Sequence, residues 1–121
     1  MEQDKKSVAL IVEFFHALFE QKNIDNFSLF VSPELKFSIN HEVWDYQQSL
    51  SYFTSLVTEY SRIEVLPFEL ILPCGDFVSI SFAQKCYTTD GKVRVDKCMA
   101  MFEIDQGKIC AIHQLTLPCE D

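Results

Sequence analysis

Residues 77–117 read FVSISFAQKCYTTDGKVRVDKCMAMFEIDQGKICAIHQLTL. Two breaks, Thr89-Asp90-Gly91 and Asp105-Gln106-Gly107, cut this stretch into three runs of strand length. Each break suits a three-residue hairpin loop with glycine in the left-handed position. The runs are 77–88, 92–104 and 108–117, and Val78, Ile80 and Phe82 alternate along one side of the first. Three-residue loops also fix a register. Cys86 then faces Arg94, Cys98 faces Phe82, and Cys110 faces Phe102. On that register Asp96, Cys98, Ala100 and Phe102 share one face with Cys110, Ile112, Gln114 and Thr116. Met99, Met101, Ile109, Ala111, His113, Leu115 and Leu117 take the other. A slip of one residue would exchange the faces.

Upstream, residues 62–72 form another strand, with Ile63 and Val65 followed by Phe68, Leu70 and Leu72. The parity of the apolar positions changes at Leu66-Pro67, which predicts a one-residue β-bulge there. Cys74-Gly75-Asp76 turns the chain into the next strand. Residues 35–41 alternate Leu35, Phe37 and Ile39 against Lys36, Ser38 and Asn40, a strand of period two. Asp45 with Gln48 three residues on is a capping box. The helix it opens carries Tyr46, Leu50, Phe53, Leu56, Val57 and Tyr60 on one stripe. Residues 5–22 read as a helix whose polar stripe is Lys6, Glu13, His16 and Glu20, with apolar residues nearly everywhere else. Such a helix is covered on most sides, as if lying inside a curved sheet. A short helix over 24–31 ends at Ser32-Pro33. Helices first and strands afterwards indicate an α+β domain with a mainly antiparallel sheet.

At 121 residues the chain fits one domain, spanning 1–121. Eleven phenylalanines need burial in a core, a cavity wall or an interface. The net charge of −8 and the lack of a basic cluster argue against nucleic-acid or anionic-membrane partners. No segment has the length of an apolar membrane span. The mixed-charge start is not that of a signal peptide. With five cysteines, an odd count, this predicts reduced thiols and a cytoplasmic location. The twelve-residue spacing of Cys74, Cys86, Cys98 and Cys110 echoes the hairpin length. In the register above no two of them are partners, so no metal site is assigned, and no cofactor is implied.

The order of elements and several short stretches resemble the nuclear-transport-factor-2-like superfamily, in its SnoaL-like branch. The stretches are Phe14-Phe15-His16-Ala17-Leu18-Phe19, Phe27-Ser28-Leu29-Phe30, Leu35-Lys36-Phe37-Ser38, Ser49-Leu50-Ser51-Tyr52-Phe53 and the hairpin from Phe102 to Ile109. The resemblance implies a cone-shaped α+β barrel in which a strongly curved sheet wraps three helices from the N-terminal half, with a pocket at the open end. It also implies a homodimer through the outer sheet face, which suits the apolar Met99 and Met101. The residues that serve ketosteroid isomerase, a tyrosine, an aspartate base and an oxyanion-hole aspartate, fall on Phe14, near Ile39 and near Ala100. None can do that chemistry. The Asp–Arg–Asp arrangement of epoxide-hydrolase relatives has no evident counterpart, although Arg94 and Asp96 keep a weak version of it.

Two residues are candidate catalytic groups. His41 ends a strand three residues before Trp44, where the cone would open, and can act as a general base or as an idle rim residue. Asp96 suits a buried carboxylate, or the wet end of its strand beside Arg94. His16 reads as part of a solvated face, and His113 as part of a subunit interface. The candidate ligand-binding residues are Phe15, Trp44, Phe53, Tyr60, Phe82, Cys98, Ala100, Phe102 and Gln114. Two functions remain open. One is a pocket for an apolar or aromatic small molecule, with acid–base isomerisation, cyclisation, dehydration or hydrolysis if it is an enzyme. The other is a non-catalytic dimerisation or interaction module whose cone is filled.

Overall fold

The computed structural model describes residues 2–119. Helix α1 (Glu2–Phe15) opens with Glu2 and Asp4 in its first turn, where carboxylates favour the positive end of a helix. Asp4 accepts a hydrogen bond from the Gly75 backbone N–H, and the Ser7 hydroxyl donates to the Gly75 carbonyl. These bonds pin the helix to a distant hairpin turn. The helix continues as a π turn over His16–Glu20, in which Ala17, Leu18 and Phe19 are all buried. Its expected start at residue 5 is thus three residues late. The helix ends where Lys22 takes a left-handed conformation (φ 53°).

A 3-10 turn (Ile24–Asn26) and one turn of α2 (Phe27–Phe30) follow. Ser32-Pro33 does not end this helix. Strand β1 (Val31–Ile39) already runs through it, and the proline sits where the pairing of β1 shifts register. Asn40 and His41 make a tight turn into β2 (Glu42–Trp44), a short strand the sequence did not announce. Asn40 takes φ 53°, a conformation asparagine tolerates. Helix α3 (Tyr46–Glu59) starts at the expected capping box, with both of its hydrogen bonds present. The remaining strands are β3 (Arg62–Val65), β4 (Leu70–Cys74), β5 (Phe77–Tyr87), β6 (Val93–Asp105) and β7 (Lys108–Pro118).

The strands form one sheet in the order β2-β1-β7-β6-β5-β3, with β4 beside β3 on the edge of β5. All pairings are antiparallel except β1 with β7. The fold is therefore α+β, with three helices in the N-terminal half and a mixed, mainly antiparallel sheet. No helix among the described residues is long and apolar enough to cross a membrane.

The β5–β6 hairpin has the expected register, with Cys86 opposite Arg94 and Cys98 opposite Phe82. The next hairpin does not. Gln106 and Gly107 both have positive φ, so the loop has two residues, as a type I′ turn requires. Cys110 then bulges out of the ladder, and Phe102 pairs with Ile112 instead of Cys110. The total offset from expectation is two residues, so the facing of residues 112–116 survives. Ile109 precedes the bulge and is fully buried, not on the outer face.

The break between β3 and β4 is also larger than a single bulge. Val65 pairs with Gln84 and Leu70 with Ser81, so two extra residues are accommodated. Phe68 turns into the core against Phe15 and Phe82 (ring centroids 5.3 and 5.5 Å). Leu70 and Leu72 pair with Ser81 and Ser79 and lie exposed on the outer face, separated from Phe68. The core lies between the helices and the inner sheet face. Phe15 meets Phe82 and Phe102 edge-on, and Phe53 stacks on Phe37 at 5.4 Å.

Candidate functional site

The register sorts the inner face into layers. Phe37, Ile112, Phe102 and Val78 lie across from one another in one row, and Ile39, Gln114, Ala100 and Ile80 in the next. Thr116, Cys98 and Phe82 follow, then Asp96 with Gln84, then Arg94 with Cys86. The face thus passes from wholly apolar at the Phe102 end to polar at the Arg94 end.

Two recesses border this face, one in its middle and one toward the Arg94 end. One is a small chamber of about 20 Å³ walled by Phe14, Phe15, Phe19, Phe53, Phe82, Phe102 and Ile112. Its polar lining comes from Gln84, Gln114 and Tyr52. It has room for a single water molecule. The other is an open groove of about 610 Å³ along α3, lined by Trp44, Gln48, Ser51, Ser55, Glu59, Tyr60 and Arg94. Tyr52 and Leu56 border both recesses and form the partition between them. The partition is positioned by α3, whose Tyr52 packs against Trp44 at 4.9 Å.

Arg94 donates from Nε and Nη2 to Oδ2 of Asp96, at 3.1 and 2.9 Å. Its guanidinium also lies 5.5 Å from the centre of the Tyr60 ring. Burial works against the charge of Arg94, but the hydrogen bond and charge of Asp96 outweigh it and hold the guanidinium above its ordinary pKa. The Asp96 side chain is 3% exposed and that of Arg94 is 53% exposed. Asp96 is therefore buried and not at the wet end of its strand. It sits behind Arg94 and lines neither the chamber nor the groove.

Burial pushes the Tyr52 hydroxyl up to about 12, so it stays protonated and can donate. Burial likewise pushes the Cys98 thiol up to about 11 and raises that of Cys86. Cys98 lies 3.7 Å from the Thr116 hydroxyl and behaves as an inert thiol. Gln84 is 5% exposed, and its carboxamide, without a hydrogen bond to any described side chain, keeps some accessible surface, so it is not a fully buried unsatisfied group. Gln114 donates from Nε2 to Thr116 Oγ1 at 2.8 Å, leaving its carbonyl oxygen turned to no described donor.

His41 occupies the exposed β1–β2 turn and reaches neither recess. The structure does not bring it together with Asp96. Phe15, Phe53, Phe82, Phe102 and Gln114 wall the chamber, and Trp44 and Tyr60 line the groove. Cys98 and Ala100 are buried on the same face but contribute to neither wall. Sequence reasoning passed over Tyr52 and Gln84. Gln84 was within reach, because it lies two residues beyond inward-facing Phe82. Tyr52 lies off the α3 stripe used to assign the core, and only the docking of α3 gives it a role.

No family model and no curated protein sequence matches this chain. Solved structures do. AclR, a proposed hydroxylase of Streptomyces galilaeus, superposes with a TM-score of 0.83 at 10% identity, over 94% of this chain and 80% of its own. A nuclear-transport-factor-2-like protein of Anabaena variabilis superposes at 0.81 and 15% identity, over 98% and 91%. This chain has the nuclear-transport-factor-2-like fold. An epoxide hydrolase of M. tuberculosis, described as LEH-like, shares this fold with the chain (TM-score 0.76, 13% identity, 93% and 84% covered). Further matches include proposed SnoaL-like polyketide cyclases. At these identities the likeness concerns the fold, which carries several activities.

Proposed function

We propose that this chain binds a flat apolar or aromatic small molecule in the groove along α3, and binds it without acid–base turnover. One observation carries the reading. The interior is filled to a one-water chamber, while among the open recesses of ligand size the groove along α3 is the one lined by Trp44, Tyr52 and Tyr60 together. Three rings and a guanidinium around one groove favour stacking on a planar ligand.

Turnover by isomerisation, cyclisation, dehydration or hydrolysis needs a positioned acid or base. No carboxylate or imidazole among the described residues lines the chamber, and the one carboxylate lining the groove, Glu59, is exposed to solvent. An Asp–Arg–Asp arrangement needs a second carboxylate on Arg94, and Asp96 is its only ion-pair partner among the described residues. The chain has a single tryptophan, so Trp44 fluorescence reports the groove directly. Planar aromatic compounds are expected to change that fluorescence saturably and to raise the melting temperature with the logarithm of ligand concentration. Replacing Tyr60 by Ala is expected to weaken both effects. Neither signal across a panel of aromatic, terpenoid and steroid-like compounds would sink the reading.

A separate observation favours a homodimer. On the outer sheet face Leu70, Ser81, Met99 and Leu115 lie in one row, and Leu72, Ser79, Met101 and His113 in the next. Both rows are free of formal carboxylates and ammonium groups, while Lys97, Glu69 and Glu103 border them. A charge-poor centre with a charged rim is the composition of a protein interface. In a chain of net charge −8 it is also where two copies repel least. We propose that two copies pair through this face. The expected solution mass is that of a dimer, and Met101→Asp should give a monomer. A wild-type mass of one chain across micromolar to millimolar concentrations would remove the dimer.

A further inference from the structure

We infer that Gln84 makes the site selective for a neutral ligand carrying a paired hydrogen-bond donor and acceptor, such as a carboxamide, which enters the chamber past Tyr52 and Leu56. This rests on the groove reading above and says what the bound molecule must carry. A ligand that enters the chamber strips the remaining water from any polar group lining it, which is costly unless the ligand replaces the lost hydrogen bonds. Gln84 is such a group: it is 5% exposed, its carboxamide bonds to no described side chain but keeps some accessible surface, and it faces the chamber together with Tyr52 and the free carbonyl oxygen of Gln114. These offer donors and acceptors within one small volume. A ligand amide matches them: its carbonyl accepts from Gln84 or Tyr52, and its N–H donates to Gln84 or Gln114.

Charge argues for neutrality as well. The positive charge of Arg94 is already met by Asp96, and Glu59 lies on the same groove. A ligand carboxylate would find no uncompensated cation there, and it would lose its hydration in the chamber. A pure hydrocarbon would leave Gln84 unpaired. The chamber of about 20 Å³ is too small for the head of such a ligand at rest. Its admission therefore displaces the Tyr52 and Leu56 side chains, which separate the chamber from the groove. The ring of the ligand remains outside, on Trp44 and Tyr60.

The test uses 2-phenylacetamide, phenylacetate and propylbenzene as probes on the full chain, read by Trp44 fluorescence and by the side-chain amide resonances of Gln84. Phenylacetamide is expected to bind on the order of tenfold more tightly than either analogue, the effect of one or two hydrogen bonds. It should shift the Gln84 amide resonances. Gln84→Met, close in volume, is expected to abolish that preference while still binding propylbenzene. Gln114→Met should reduce the preference and serves if the first variant does not fold. A preference that survives in both variants, or phenylacetate binding as well as the amide, overturns the inference and leaves the groove standing. If no probe alters Trp44 fluorescence, the groove reading falls and this inference falls with it.

Discussion

The two ends of the helix-covered sheet face are built from the same strands and behave differently. At one end Phe37, Ile112, Phe102 and Val78 form a continuous apolar row, each almost inaccessible and packed by phenylalanines of α1 and α3. At the other, Gln84, Asp96, Arg94 and Gln114 occupy equivalent inward positions beside the chamber and groove that Tyr52 and Leu56 border. The apolar end is almost fully packed, and only Phe102 and Ile112 of that row border the small chamber. The polar end contains a carboxamide without a described partner and an ion pair that reaches the groove. Stability is concentrated at the first end, and the proposed recognition belongs to the second.

The comparison can be broken by substitution. Phe102→Ala, at the filled end, is expected to cost about 3–5 kcal/mol in urea unfolding, because it removes a ring from a rigidly packed row. A cost below about 1 kcal/mol would mean that this end is not the close-packed one. Arg94→Ala should cost about 3 kcal/mol, since it strands the buried Asp96 charge. Asp96→Asn should cost only about 1 kcal/mol, because half-exposed Arg94 can turn to water. Equal costs would contradict the asymmetric burial of the pair.

The smallest effect is a pH dependence that is silent near neutrality. Tyr52 ionises near 10 in the unfolded chain and at about 12 in the fold. Its contribution to stability is complete below pH 10 and is lost as the pH rises toward 12. Cys98 does the same between 9 and about 11. Stability should therefore fall through this alkaline window, and Tyr52→Phe should flatten the upper part of the decline. At pH 8 only about one Cys98 in a thousand is thiolate, so maleimide should label exposed Cys74 and Cys119 first.

Much of the filled end was legible in the chain. Period-two alternation placed Val78, Ile80, Phe82 and Phe102 inward, and the Asp45–Gln48 box placed the start of α3. An error of two residues in the last hairpin did no harm to Gln114 and Thr116, because facing depends only on parity. The error did misplace Ile109, which precedes the bulge. The polar end was less legible. His41 looked like a strand end beside Trp44, but left-handed Asn40 turns the chain one residue earlier and leaves the imidazole in solvent. Asp96 looked wet because it neighbours Arg94 in sequence. In space that same arginine covers it.

The sequence by itself determined most element types, with β2 and the early start of β1 as exceptions, the facing of most strand residues and the greasy first helix. These follow from local periodicity, turn chemistry and the need to bury eleven phenylalanines. Only the tertiary structure decided that the interior is nearly full, that Tyr52 and Leu56 divide chamber from groove, and that Gln84 is left without a described partner. Those facts depend on how α3 docks against β1 and β2 and on side chains brought together from distant strands, and no local pattern along the chain encodes such distances.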